Sequence, residues 1–194
     1  MAGRNVQVRV PWTWARVLLF LLVEIALLIV YNFAPRDRET IVFGATIIAG
    51  AFALYSYLRG IEDRRMQAAS KMIERWNAPD RTEARKTMNL ISESLLDPDS
   101  LQRTSKGQPI PAEHLSARLN LVSSLNFYEE LAIGVFDGTL DEDKAHTFFA
   151  PVIEQSYQSL LKWIENERAI DRCPAYYTEF EKLAVRWRKW ANVS

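Results

Sequence analysis

Two long apolar runs, close together near the N-terminus, limit what this chain of 194 residues can fold into. The first, VLLFLLVEIALLIVYNFA, occupies residues 17–34, and the second, IVFGATIIAGAFALYSYL, residues 41–58; only PRDRET lies between them. A helix rises about 1.5 Å per residue, so about 20 apolar residues cross a hydrocarbon core. Both runs approach that length. Trp12, Trp14, Tyr31, Tyr55 and Tyr57 fall near their ends, where amphipathic rings favour the interface. The short connection therefore predicts an antiparallel transmembrane hairpin over residues 1–60. A signal peptide is the competing reading of the first run, and Arg4, Arg9 and Arg16 would suit one. The run is long for such a segment, no small-residue cleavage pattern follows it, and a second span comes at once, so a retained hairpin is expected.

Charge sets the orientation and separates two parts of the chain. Lys+Arg and Asp+Glu both number 24, a balance that points away from nucleic acid. Residues 1–60 hold nine of these charges, and residues 61–194 carry a net charge of −3, as a solvated helical domain would. Arginines precede the first run, and Arg59, Arg64, Arg65, Lys71 and Arg75 follow the second. In the connection Arg36 and Arg38 are offset by Asp37 and Glu39. The positive-inside rule then places both termini and residues 61–194 in the cytoplasm. The lone cysteine, Cys173, fits a reducing compartment.

After residue 60 the apolar spacing is helical throughout, which predicts an all-α chain: the hairpin followed by an antiparallel bundle. The second span is expected to continue as a helix to Trp76, with Asn77 or Asp80 capping the next. There Ala84, Met88, Ile91 and Leu95 form one stripe. Residues 97–111, rich in Pro, Gly and small polar residues, read as a long mobile loop. A helix follows from residue 112 to about 136, with Gly138 as its stop. Another opens at TLDEDKAHTFF, its acids opposing the positive end of the helix dipole. Pro151 is expected to break or kink it, leaving a separate helix over residues 152–170. The last helix lies within CPAYYTEFEKLAVRWRKW, with Tyr176, Phe180, Leu183, Trp187 and Trp190 in its stripe.

The stretch LNFYEELAIGVFDGTLDED, followed by FF, KWIENER and FEKLAVRW, resembles a bacterial family of small two-span membrane proteins, domain-of-unknown-function family 4760. RWNAPDRTEARKTM is similar to that family's first soluble helix. The resemblance covers about residues 17–190, and is most specific at NFYEEL, residues 126–131, with Gly138 and Asp141. It implies a two-span topology, an all-helical cytosolic domain and a bacterial inner-membrane location. It implies no enzyme activity.

Two carboxylates sit where apolar spacing predicts burial. Glu24 lies near the middle of the first span, where an acidic residue costs about 3 kcal/mol, less than the gain from the surrounding side chains. In a hairpin its level falls near Thr46 to Gly50. Ala45, Ala49 and Ala53 recur every four residues beside Gly50, a face that permits close helix approach. The structural reading is Glu24 hydrogen-bonded to Thr46 or to a partner subunit; the functional one is an ion or proton site in an oligomeric pore. Glu129 falls within the stripe of Val122, Leu125, Ala132, Ile133 and Phe136, and a buried carboxylate needs a partner. Arg168, on the stripe of Tyr157, Leu161 and Ile164, is the first candidate and Arg85 the second.

Other constellations lead nowhere catalytic. Glu142 and His146 are four apart and Glu113 adjoins His114, spacings that match neither a di-iron bundle nor a zinc site. No phosphate-cradling loop or nucleophile elbow occurs, and Cys173 sits before Pro174 in a turn. Arg186, Trp187, Arg188, Lys189 and Trp190 could present a basic face to anionic lipid or an acidic partner, each charge contributing about 1 kcal/mol near such a surface. The expectation is a non-enzymatic membrane tether, scaffold or accessory subunit without a cofactor. Its partners would be lipid, copies of itself or a membrane assembly. The alternative is a small pore-forming effector, in phage defence for example, with Glu24 lining the path.

Overall fold

The computed structural model describes residues 23–26, 28, 38–103, 105 and 109–191. Among them every regular element is helical: α1 Arg38–Asn77, α2 Thr82–Ser92, α3 Ala112–Phe136, α4 Glu142–Asp171 and α5 Thr178–Ala191, with 3₁₀ turns at Pro79–Arg81 and Pro98–Leu101. The chain divides into two units after Gly60.

In the first unit, residues 23–26 and 28 are helical and the rest of the expected first span lies outside the described residues. The other described part is the N-terminal half of α1. One helix, Val42–Asn77, is long and apolar enough by length and composition to cross a membrane, with mean hydropathy 1.3 over 18 residues, none of them buried. Val42, Phe43, Ile47, Ile48, Leu54 and Leu58 all stand exposed. No charge interrupts residues 41–58, and α1 passes Gly60 without a break, as expected where no proline intervenes.

The second unit is a bundle around α3. Leu121, Leu125, Tyr128, Leu131, Ala132 and Val135 recur at three- and four-residue steps and are buried, while Phe127 is buried on a flank of the same helix. This helix is therefore enclosed on more than one side. The expected stripe erred at Ile133 and Phe136, which are 47% and 38% exposed. Trp76, at the end of α1, packs its ring 4.9 Å from Phe127 and 5.4 Å from Tyr128, and Tyr128 stacks on Phe180 of α5 at 5.3 Å. Neither Asn77 nor Asp80 caps α2, which has no side-chain cap. Arg85 instead donates to the Trp76 and Ala78 carbonyls where α1 ends.

Several expectations are corrected by the geometry. Helix α2 ends at Ser92, and Ser94 takes a left-handed φ of 59°. The Leu95 and Leu96 amides then return to the Leu90 carbonyl, which swings Leu95 outward to 70% exposure and turns Leu96 towards the core. Pro151 does not divide α4, which is continuous over 30 residues. Proline removes one backbone donor, but Pro151 and Thr147, whose carbonyl loses that donor, are both exposed and solvated. Phe149 and Ile153 on either side are fully buried and hold the helix in place. Gly138 does stop α3: its φ is +73°, and a Cβ there would lie 2.9 Å from the Arg65 guanidinium. In the last helix Tyr176 and Trp190 are exposed, so its buried stripe is Phe180, Leu183, Ala184 and Trp187.

Of the stretch expected to be a mobile loop, residues 97–103 form a docked strap, and residues 104 and 106–108 lie outside the described residues. The Asp97 carboxylate accepts from the Asp99 amide and starts the 3₁₀ turn, and Leu101 is fully buried. Burying one leucine stabilises by about 1.5–3 kcal/mol. Polar contacts to α4 add to this: Lys162 pairs with Asp99, and the Asn166 amide donates to Gln102 at 2.8 Å.

Candidate functional site

The strap ends in the most enclosed charge cluster among the described residues. Arg118 on α3 directs Nη1 and Nη2 to the Glu167 carboxylate on α4 at 3.1 and 2.7 Å, and Nη1 also donates to the Leu101 carbonyl at 2.7 Å. Its guanidinium lies 5.2 Å over the Trp163 ring. Arg103 of the strap donates to Glu167 and to Asp171, both at 2.6 Å. Two arginines and two acids thus lock strap, α3 and α4 together, with Arg118 and Glu167 themselves buried.

Electrostatics follow from this pairing. Burial disfavours the Glu167 carboxylate, but the hydrogen bonds from Arg118 and Arg103 outweigh it and hold its pKa below the usual value. Asp171 is the main cause that keeps Arg103 above its ordinary range. Beside the cluster, burial first and the Glu167 charge second push the Tyr177 phenol up to about 12. Every carboxylate here is committed to a guanidinium, and the tyrosine is held protonated. Such a cluster can fix a strap; it presents no uncommitted base.

The residues singled out by spacing fall elsewhere. Glu129 is half-buried, but its partner is neither Arg168 nor Arg85. Its carboxylate accepts from the backbone amides of Phe180 and Glu179, at 2.7 and 3.3 Å, at the N-terminus of α5. Those amides have no partner within their own helix and the dipole there favours a negative charge, so the helix end supplies what a cation was expected to. Arg168 instead pairs with Glu181 at 2.9 Å and donates to the Tyr176 carbonyl. Glu24 is half-buried in a helical stretch. The Thr46 hydroxyl donates to the Val42 carbonyl of its own helix at 2.9 Å, which commits its one proton. Ala45 and Ala49 are half-buried, Gly50 and Ala53 exposed.

The C-terminal basic face is also redistributed. Trp187 is a core residue, 3% exposed, and its indole N–H donates to Glu142 at 3.1 Å. Arg186 bonds the other oxygen of Glu142 at 2.6 Å, and Arg188 approaches Glu154 at 3.4 Å. Carboxylates of α4 therefore meet the charges intended for lipid. Lys189 is exposed, and Trp190 lies 4.9 Å from the His146 ring. Among the described residues no three His, Cys, Asp or Glu side chains gather as metal ligands.

Spacing could have found the strap's cluster. Arg118 continues the buried Leu121–Leu125 stripe backwards by three, and Glu167 continues Leu160, Trp163 and Ile164 forwards. A charge at the end of a buried stripe in each of two helices is a signal of pairing.

These features define a class: a helical bundle with a polar-locked strap, joined in sequence to an uncovered apolar helix. The family described as Domain of unknown function (DUF4760) matches residues 41–187, and the chain belongs to it. The match takes in the apolar half of α1 as well as the bundle. No curated protein and no solved structure matches the chain.

Proposed function

We propose that this protein is a membrane-anchored tether, a scaffold or accessory subunit whose helical bundle engages copies of itself or a larger membrane assembly from the cytoplasmic side of a bacterial inner membrane. The apolar half of α1 carries the reading. Its side chains Val42, Phe43, Ile47, Ile48, Leu54 and Leu58 are 50–69% exposed. At about 1.5–3 kcal/mol for full burial of each, moving their exposed halves into lipid is worth about 5–9 kcal/mol. That exceeds the cost of about 3 kcal/mol for Glu24 in the preceding span. The first run completes the hairpin in this reading and places both termini inside.

Membrane association and topology are tested together. The full chain is expected in the pellet after alkaline carbonate extraction. In a Cys173→Ser background, Thr40→Cys should react with an impermeant maleimide from outside the cell, whereas a cysteine in the N-terminal tail should not. Release by carbonate would overturn the anchor. A monomer in mild detergent with nothing co-purifying would overturn the tether.

A further inference from the structure

A cleft of about 140 Å³ opens on the seam between the end of α1, α2 and α4. Its floor is apolar: Trp76 and Met88 are buried, and Val152 is half-buried. Its polar wall comes from two helices, with Arg85 and Asn89 on α2 and Gln155 and Ser156 on α4. Arg85 commits three of its five N–H donors, two to the Trp76 and Ala78 carbonyls and one to the Thr82 hydroxyl. Nε–H and one Nη2–H remain. No carboxylate pairs with it among the described residues, and no Asp or Glu lines the cleft. The Asn89 and Gln155 side-chain amides make no hydrogen bond within the described residues, so three groups offer free donors to one small space.

We propose that this cleft binds a small carboxylate, with the oxyanion on Arg85 and the amides of Asn89 and Gln155, and the hydrocarbon part on Trp76 and Met88. An apolar floor with a few convergent polar groups is the usual make-up of a ligand site, and a guanidinium with two free donors favours a planar oxyanion. Size follows from volume: a cavity of about 150 Å³ holds benzene, so about six heavy atoms fit. Polarity follows from a second hollow of about 300 Å³, lined by Ile91, Leu96, Asp97 and Pro98 and by Ser159, residues that come next along the chain after those of the cleft on α2 and α4. An acid there repels the ligand's charged end and leaves the hydrocarbon pointing that way.

Butyrate has this size and is the probe. Titrated into the full chain in mild detergent and followed by ligand-observed NMR, it should bind saturably with a dissociation constant of about 1 mM, as expected of so small a ligand. Arg85→Lys should weaken binding about tenfold or more, since a bidentate contact is lost. Arg85 also caps α1, so a second variant guards against misfolding: Asn89→Leu with Gln155→Leu alters two exposed positions and should weaken butyrate several-fold with the helical spectrum unchanged. n-Butylamine should not bind. The proposal is overturned by no saturation up to about 20 mM, by affinity unchanged in the double variant, by equal binding of n-butylamine, or by binding of inorganic phosphate in place of butyrate.

Discussion

Replacing Glu167 by glutamine tests whether the buried charge cluster holds the bundle. The change keeps shape and removes charge. Glu167 accepts three charge-assisted hydrogen bonds, two from Arg118 and one from Arg103, and it is 3% exposed. In Glu167→Gln, Arg118 remains buried without a counter-charge, and the new amide turns a donor towards a guanidinium. Breaking a buried pair from one side costs about 3–5 kcal/mol. Arg103 keeps Asp171, and Arg118 keeps the Leu101 carbonyl and the Trp163 ring, so the lower end applies. A loss of about 3 kcal/mol corresponds to a fall in Tm of about 10 °C for a unit of this size. Urea unfolding of the full chain in detergent, followed by far-ultraviolet circular dichroism, gives the number. The companion is Arg118→Met with Glu167→Leu. Removing both charges leaves neither stranded, so the double variant should recover most of the loss. Glu167→Gln within about 0.5 kcal/mol of wild type, or a double variant no better than the single one, would refute the reasoning.

Acid should act through the same carboxylate. The folded pKa of Glu167 lies below its ordinary 4.5, so the unfolded chain binds the proton first as pH falls. The stabilisation is therefore complete above 4.5 and is lost as pH drops through the folded value. Wild type should lose stability more steeply than Glu167→Gln in that window, and parallel acid titrations would contradict the assignment. For Glu129→Gln, loss of a carboxylate at the N-terminus of α5 should cost about 1 kcal/mol, read as a lower urea midpoint. An unchanged midpoint would mean that the glutamine oxygen serves these amides as well as the carboxylate does.

How far the fold was legible in the sequence depended on where each element's constraints lie. Helix α3 matched its expected bounds because proline precedes it and Gly138, at positive φ, follows it. The unity of α4 was hidden, since a proline on the solvent face reads the same as one that breaks a helix. The strap was hidden by its composition: one buried leucine among prolines, serines and aspartates gives no periodicity. Glu129 was marked as a carboxylate in need of a partner, yet that partner could not be found by matching charges. The partner is a pair of backbone amides, and these become donors only because α5 begins there. The charge cluster joins residues 49 and 64 positions apart, a distance that no local pattern reports.

Arg85 connects the cleft to the end of the helix that carries the apolar segment. Its guanidinium closes α1 through the Trp76 and Ala78 carbonyls, groups that helix geometry leaves without internal donors. The same guanidinium contributes the cleft's only positive charge among the lining residues. A carboxylate drawing on the two remaining donors leaves the capping bonds in place and adds a contact made only in the folded state. Linkage then fixes the sign: occupancy must raise stability, by about 1.4 kcal/mol at tenfold the dissociation constant. Trp76 lies on both sides of this arrangement, lining the cleft and packing on Phe127 and Tyr128. An occupied cleft therefore acts on the core contacts that hold the C-terminal turns of α1.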